Sequence, residues 1–242
     1  MRPGLDTLRA LPLFASFDEE LLLKLNDLSD LARIGPGEVL FTEGDPADQL
    51  YILQSGYVTI CRMQADGGEA LTDIVGAVRP LAFATVLLDL PAQFGAKTVT
   101  SCRVVMIPTG ELRAIIDAKP LLCMPFLDYA LTEARELELV AAQLKLRPAA
   151  QRLAEYLLGL IDDPELSPAR FVLPYEKRFL AGKIGCSQEN LSRAFAALRR
   201  IGVDTQQGVV VVRDVGALRD FARIGGSRVP SRPAAAPFRE VS

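Results

Sequence analysis

The chain has 242 residues, is 50% hydrophobic and carries 27 Lys+Arg against 30 Asp+Glu, a net charge of −3. That length and apolar content supply one or two packed cores. It contains no histidine, which excludes Ser-His-Asp and Cys-His catalysis, histidine-ligated haem and the common zinc sites.

Cys61, Cys102, Cys123 and Cys186 are widely spaced and form no C-x-x-C pair, so free thiols in a reducing compartment and no metal are expected. Met1–Leu11 lacks the apolar run of a secretory segment. No stretch approaches the ~20 apolar residues that cross a bilayer. A cytoplasmic protein with no membrane partner and no cofactor is the expectation. No pair of acids stands in a recognisable catalytic setting, so no enzyme activity is expected.

In chain order, an apolar segment begins at Leu8–Phe14, and Asp18–Leu28 predicts an amphipathic helix with Leu21, Leu22, Leu25 and Leu28 on one side. From Ala32 to Pro108 short runs rich in Val, Ile, Leu and Tyr alternate with Gly and Pro. That spacing predicts an antiparallel sandwich, barrel or roll. A short helix is predicted over Gly110–Ala118, then a long one over about Cys123–Leu146. In the long helix Leu127, Ala130, Ala134, Leu137, Ala141 and Leu144 fall at a and d of a heptad, the pattern of a dimer seam. The alternative is a helix packed on its own domain. Pro148 stops or kinks it. A helix over Ala149–Ile161, a loop over Asp162–Pro168 and a strand at Phe171–Leu173 follow. Gly202 and Gly208 frame a β-hairpin, Gly216–Ile224 a last helix, and residues 225–242, rich in Gly, Pro, Ser and Ala, are expected to be disordered.

Between that strand and the hairpin, Leu180–Phe195 is the most informative stretch. Leu180, Ala181 and Ile184 give a first helix its apolar face, Gly185 supplies a turn that favours positive φ, and Ser187 stands where an N-cap belongs. Leu191, Ala194, Phe195 and Leu198 then repeat at helical spacing. The opposite face keeps Gln188, Glu189, Ser192 and Arg193, side chains that hydrogen-bond to base edges in a DNA major groove.

Charge agrees. Residues 1–146 hold 12 basic and 20 acidic residues, whereas residues 147–224 hold 12 and 9. Lys177, Arg178, Lys183, Arg199 and Arg200 flank the turn as expected phosphate contacts. The other reading of these bases is a solvated charged face.

Order and motifs together resemble the cyclic-AMP receptor protein / fumarate-and-nitrate reduction regulator (CRP/FNR) family. The resemblance rests on Ile34–Val58, with Gly37, Gly44, Asp45 and Gly56, and on the helix–turn–helix, and it spans about residues 8–224. It implies an α+β fold: an N-terminal cyclic-nucleotide-binding-like β-roll of antiparallel strands over residues 1–118, a dimerisation helix over 119–147 and a C-terminal winged helix-turn-helix over 148–224. It further implies a homodimeric regulator that binds double-stranded DNA and works with RNA polymerase. Glu189, Ser192 and Arg193 form a Glu-x-x-Ser-Arg pattern that resembles the fumarate-and-nitrate type of readout and implies a TTGAT-like palindrome.

The departures concern the sensor. Relatives that bind cyclic nucleotides carry Gly-Glu and, further on, Arg; here Ala82-Phe83 and Gln93 stand at about those positions, with Lys97 the nearest base. Without that carboxylate and guanidinium a buried cyclic phosphate is poorly paired, so productive cyclic-AMP binding is not expected. The iron–sulfur relatives' N-terminal cysteines are also missing. Leu81, Phe83, Phe94 and Met106 remain as an apolar effector pocket, which either takes an unidentified uncharged small molecule or is filled core. The competing functional class is a β-roll module that controls a partner enzyme or channel.

Overall fold

A computed structural model describes residues 1–223 except Ala15, Asp66 and 164–166. The expected disordered segment 225–242 lies outside the described residues. The elements are α1 (Leu5–Arg9), α2 (Glu19–Leu28), β1 (Asp30–Ile34), β2 (Val39–Phe41), β3 (Gln49–Ser55), β4 (Tyr57–Met63), β5 (Glu69–Gly76), β6 (Arg79–Leu81), α3 (Phe83–Leu88), β7 (Gly95–Thr98), β8 (Cys102–Pro108), α4 (Thr109–Ala118) and α5 (Met124–Leu146). They continue as α6 (Ala149–Leu158), β9 (Ala169–Val172), α7 (Lys177–Ile184), α8 (Gln188–Arg199), β10 (Val203–Gln206), β11 (Val209–Val212) and α9 (Val215–Arg223). This is the mixed α+β architecture expected.

The chain forms two compact units, the first comprising Met1–Ala70 and Val75–Leu137, the second Leu71–Ile74 and the chain from Glu138. The division falls inside α5, between Leu137 and Glu138.

In the first unit two four-stranded antiparallel sheets, ordered β1-β8-β3-β6 and β2-β7-β4-β5, form the roll. Side chains alternate along a strand, and β8 uses both faces. Val104 enters the interior with Phe41, Leu53, Val58, Leu81 and Ala96. Val105 and Ile107 turn outward to a second core with Leu22, Leu25, Leu112, Ile115 and Phe126. A strand buried on both faces reads as a continuous apolar run, as Val104-Val105-Met106-Ile107 does here. Gly56 joins β3 to β4 at φ 94°, and a Cβ there would lie 2.6 Å from the Ser101 carbonyl oxygen; only glycine fits this turn. The helix expected at Asp18–Leu28 is α2: the Asp18 carboxylate caps it by accepting from the Leu21 N–H at 2.9 Å.

The sequence pattern read 32–108 as strands throughout, and α3 departs from it. This helix is six residues long, and its flanking residues Ala82 and Asp89 are both left-handed, at φ 50° and 56°. Its Val86-Leu87-Leu88 run is too short to separate helix from buried strand by periodicity.

In the second unit α6, α7, α8 and α9 pack beside a small antiparallel sheet ordered β10-β11-β9. Leu153, Leu157, Leu180, Leu198, Val210, Val212 and Leu218 are fully buried there. Val210 pairs with Thr205 and Phe171, which makes the predicted hairpin the outer part of a wing.

Candidate nucleic-acid interface and sensor head

The helix–turn–helix is built as its sequence dictates. Gly185 ends α7 at φ 68° and ψ 48°, a left-handed turn that costs glycine little. The Ser187 hydroxyl accepts from the Asn190 N–H at 3.2 Å and starts α8. Leu191, Ala194, Phe195 and Leu198 are buried, which fixes the rotation of α8 and leaves Gln188, Glu189, Ser192 and Arg193 together on the exposed face. Arg193 Nη2 lies 3.7 Å from Glu189 Oε2, and its Nη1 donates to Asn190 Oδ1 at 3.5 Å. These contacts are loose and fully in water, so they cost little to exchange for a base edge. Ser192 Oγ donates to the Gln188 carbonyl at 3.0 Å.

Lys177, Arg178, Lys183, Arg199 and Arg200 are all exposed. Lys177 Nζ lies 4.9 Å over the Phe195 ring, and Arg178 lies 4.6 Å over Phe179. The charged groups themselves lie over the aromatic faces, and the Arg178 guanidinium also pairs with Glu176 at 3.1 Å. Asn190, beside these four exposed polar residues, was not singled out by sequence; its place in the first turn of an exposed capped helix is the signal that marks it.

On α5, Leu127, Ala134, Leu137, Ala141 and Leu144 are exposed, whereas Ala130 is half-buried against the helix-side core. Leu131 and Val140 widen the stripe, at 60% and 49% exposure. An apolar stripe of this length left in water is rare on a finished surface.

The four proposed effector-pocket residues do not line one cavity. Leu81, Phe94 and Met106 belong to the interior of the roll. Phe83 turns the other way, stacked on Phe126 with centroids 5.8 Å apart and edge-on to Tyr129 at 5.1 Å. Beside it, the Arg79 guanidinium pairs with the Glu133 carboxylate of α5. A cavity of about 310 Å³ does open on this unit, lined by Phe41, Asp45, Asp48, Tyr51, Thr85 and Ala92 among others and by no basic residue. Burial, with the charges of Asp45 and Asp48, pushes the Tyr51 phenol up. Gln93 is exposed. A carboxylate-rimmed cavity without a guanidinium does not suit a cyclic phosphate.

Burial raises the Cys61, Cys102 and Cys186 thiols above the ordinary range, while Cys123 is exposed. Among the described residues no group of three or more Cys, Asp or Glu is placed to hold a metal ion, and no helix is long and apolar enough to cross a membrane.

Known proteins agree with this geometry. A family model described as a cyclic nucleotide-binding domain matches residues 31–119, and one described as a Crp-like helix-turn-helix domain matches residues 151–221. A "CRP-like cAMP-activated global transcriptional regulator" of Mycobacterium tuberculosis is 29% identical over 77% of this chain and 85% of its own length. The transcriptional activatory protein AadR of Rhodopseudomonas palustris is 28% identical over 77% of this chain and 76% of its own. The solved structure of FixK2 from Bradyrhizobium japonicum shares the fold with a TM-score of 0.66, at 18% identity over 83% of this chain and 99% of that one. Roll, long helix and winged helix–turn–helix in this order, matched at both ends, identify the chain as a member of the CRP/FNR family of transcriptional regulators.

Proposed function

We propose that this regulator works as a homodimer that reads a TTGAT-like palindrome through α8. The observation that carries the reading is the division of α8 itself: four apolar side chains buried, and Gln188, Glu189, Ser192 and Arg193 exposed on the opposite face of a capped helix. Arg193 donates a bidentate pair to guanine O6 and N7, Glu189 accepts from cytosine N4, and Ser192 meets a base edge or a thymine methyl. Lys177, Arg178, Lys183, Arg199 and Arg200 meet phosphates and set the register.

The apolar stripe of α5 supports the dimer. Two copies joined along Leu127, Ala134, Leu137 and Ala141 would present two α8 helices, as palindromic half-sites about one helical turn apart require. RNA polymerase is the partner through which such a regulator acts, and the cytoplasm its setting. Cyclic AMP is not its effector on this reading. Phe83 is engaged with α5, and Arg79, the basic residue that precedes it, is paired to Glu133.

A mobility shift tests this. The full-length protein should retard a palindromic TTGAT duplex as a dimer, without added cyclic AMP, and release it to an unlabelled palindrome but not to a scrambled duplex. Equal competition by both duplexes overturns the sequence-specific reading.

A further inference from the structure

The last turn of α5, the start of α6 and the turn before α8 meet at one side chain. Arg152, on α6, donates three hydrogen bonds to carbonyls in two separate segments. Its Nη1 reaches the Arg147 carbonyl at 2.5 Å, just past the end of α5. Its Nε reaches the Ile184 carbonyl at 2.8 Å, the last residue of α7. Its Nη2 reaches the Gly185 carbonyl at 3.1 Å, in the turn itself. The final carbonyls of a helix have no partner within the helix and carry its negative end. A planar guanidinium, with several donors in a fixed fork, satisfies groups from different directions at once.

Two further contacts close the same junction. The Arg147 side chain is nearly buried and donates to Glu155 at 2.5 Å, and Gln143 donates to the same carboxylate oxygen at 3.4 Å. Leu144 sits against the turn: a Cβ on Gly185 would lie 2.4 Å from Leu144 Cδ2. Pro148 therefore does not leave a free joint between α5 and α6.

We propose that Arg152 is a positioning residue for DNA reading, fixing the direction of α8 to the end of the long helix. The inference rests on the DNA-reading function above. If the two long helices of a dimer pair, this tie sets the separation of the two reading helices, and so the tolerated spacing of the half-sites. Loss of it should leave phosphate contacts intact and loosen geometry.

The test compares full-length wild type, Arg152→Gln and Arg152→Lys by fluorescence anisotropy on three duplexes: the TTGAT palindrome, the same half-sites moved apart by one base pair, and a scrambled sequence. Thermal melts of each variant confirm folding at the assay temperature. Arg152→Gln should lose about tenfold on the palindrome, the scale of removing hydrogen bonds to a charged group. It should change little on the scrambled duplex, and its penalty for the shifted spacing should shrink. Arg152→Lys keeps the charge but reaches one carbonyl direction at a time, so it too should show a smaller spacing penalty; it decides the matter if Arg152→Gln does not fold. A folded variant with wild-type affinity and an unchanged spacing penalty overturns the proposal alone. A wild type that does not distinguish palindrome from scrambled duplex overturns both this proposal and the DNA-reading function.

Discussion

Phe83 stacks on Phe126 with ring planes 4° apart. The residue that stands where nucleotide-binding relatives carry a carboxylate is thus packed against the long helix, in the core that also holds Phe14 and Phe17. Nothing in its own chemistry accepts a ribose hydroxyl. Its neighbour Ala82 is left-handed and offers only a methyl group.

Titration with cyclic AMP, followed by calorimetry, should therefore give no heat of binding and no gain in DNA affinity. Phe83→Ala should instead destabilise the protein by about 3 kcal/mol, the usual cost of removing a buried aromatic side chain, read from chemical denaturation. Micromolar cyclic-AMP binding by the wild type would contradict this account of the sensor.

The stripe on α5 makes a separate prediction. Leu137 is 62% exposed in the single chain, so Leu137→Glu removes little packing within it. Its melting profile at low concentration should stay close to wild type, while sedimentation should show monomer in place of dimer. A dimer that survives Leu137→Glu would place the interface elsewhere.

These two expectations differ in how readily the sequence announced them. The helix–turn–helix was legible because its parts act locally: a glycine for the turn, a serine for the cap and an apolar repeat at helical spacing. The apolar stripe of α5 was legible for the same reason, although Ala130 packs on the chain's own core and Leu131 is exposed. A heptad counted along a helix does not say on which side a sheet will pack. The sensor was least legible. Leu81, Phe83, Phe94 and Met106 are all apolar, but the left-handed Ala82 sends Phe83 to the other core. Arg152 carried no signal, because its role lies in three carbonyls brought together only by the fold.

Acid stability has a definite sign. The Asp18 carboxyl is held below its ordinary value by the Leu21 N–H first and by Lys119 as well. A group whose folded value is depressed stabilises above the unfolded value, about pH 4, and loses that contribution as pH falls through the folded value. Glu43 and Asp45 are lowered in the same way, each chiefly by a backbone N–H. Melting temperature should be flat from pH 7 to about 5 and fall below it. Asp18→Asn keeps a capping side chain but removes the charge, so its acid limb should be shallower. An unchanged acid limb would show that the cap's charge does not contribute.

The thiols should divide three to one. Cys61, Cys102 and Cys186 are raised by burial, and a thiol kept protonated reacts slowly. With a chromogenic disulfide at neutral pH the native protein should show one fast thiol, the exposed Cys123. Cys123→Ser should abolish the fast phase. A fast phase that persists would point to a second accessible thiol.

The most direct test of the reading head is base preference with and without Arg193. Affinities for duplexes that vary the G·C pair of each TTGAT half-site should show the wild type losing about 1–3 kcal/mol per substituted half-site. Arg193→Ala should lose a similar amount per half-site on the intact site and then discriminate less among the variants, with Glu189 still accepting from the cytosine, whereas Arg199→Ala, a phosphate contact, should weaken every duplex equally and lower the salt slope by about 1 per half-site, about 2 for the dimer. If Arg193→Ala keeps the full wild-type preference among the variants, α8 does not read DNA through that side chain and the central claim fails.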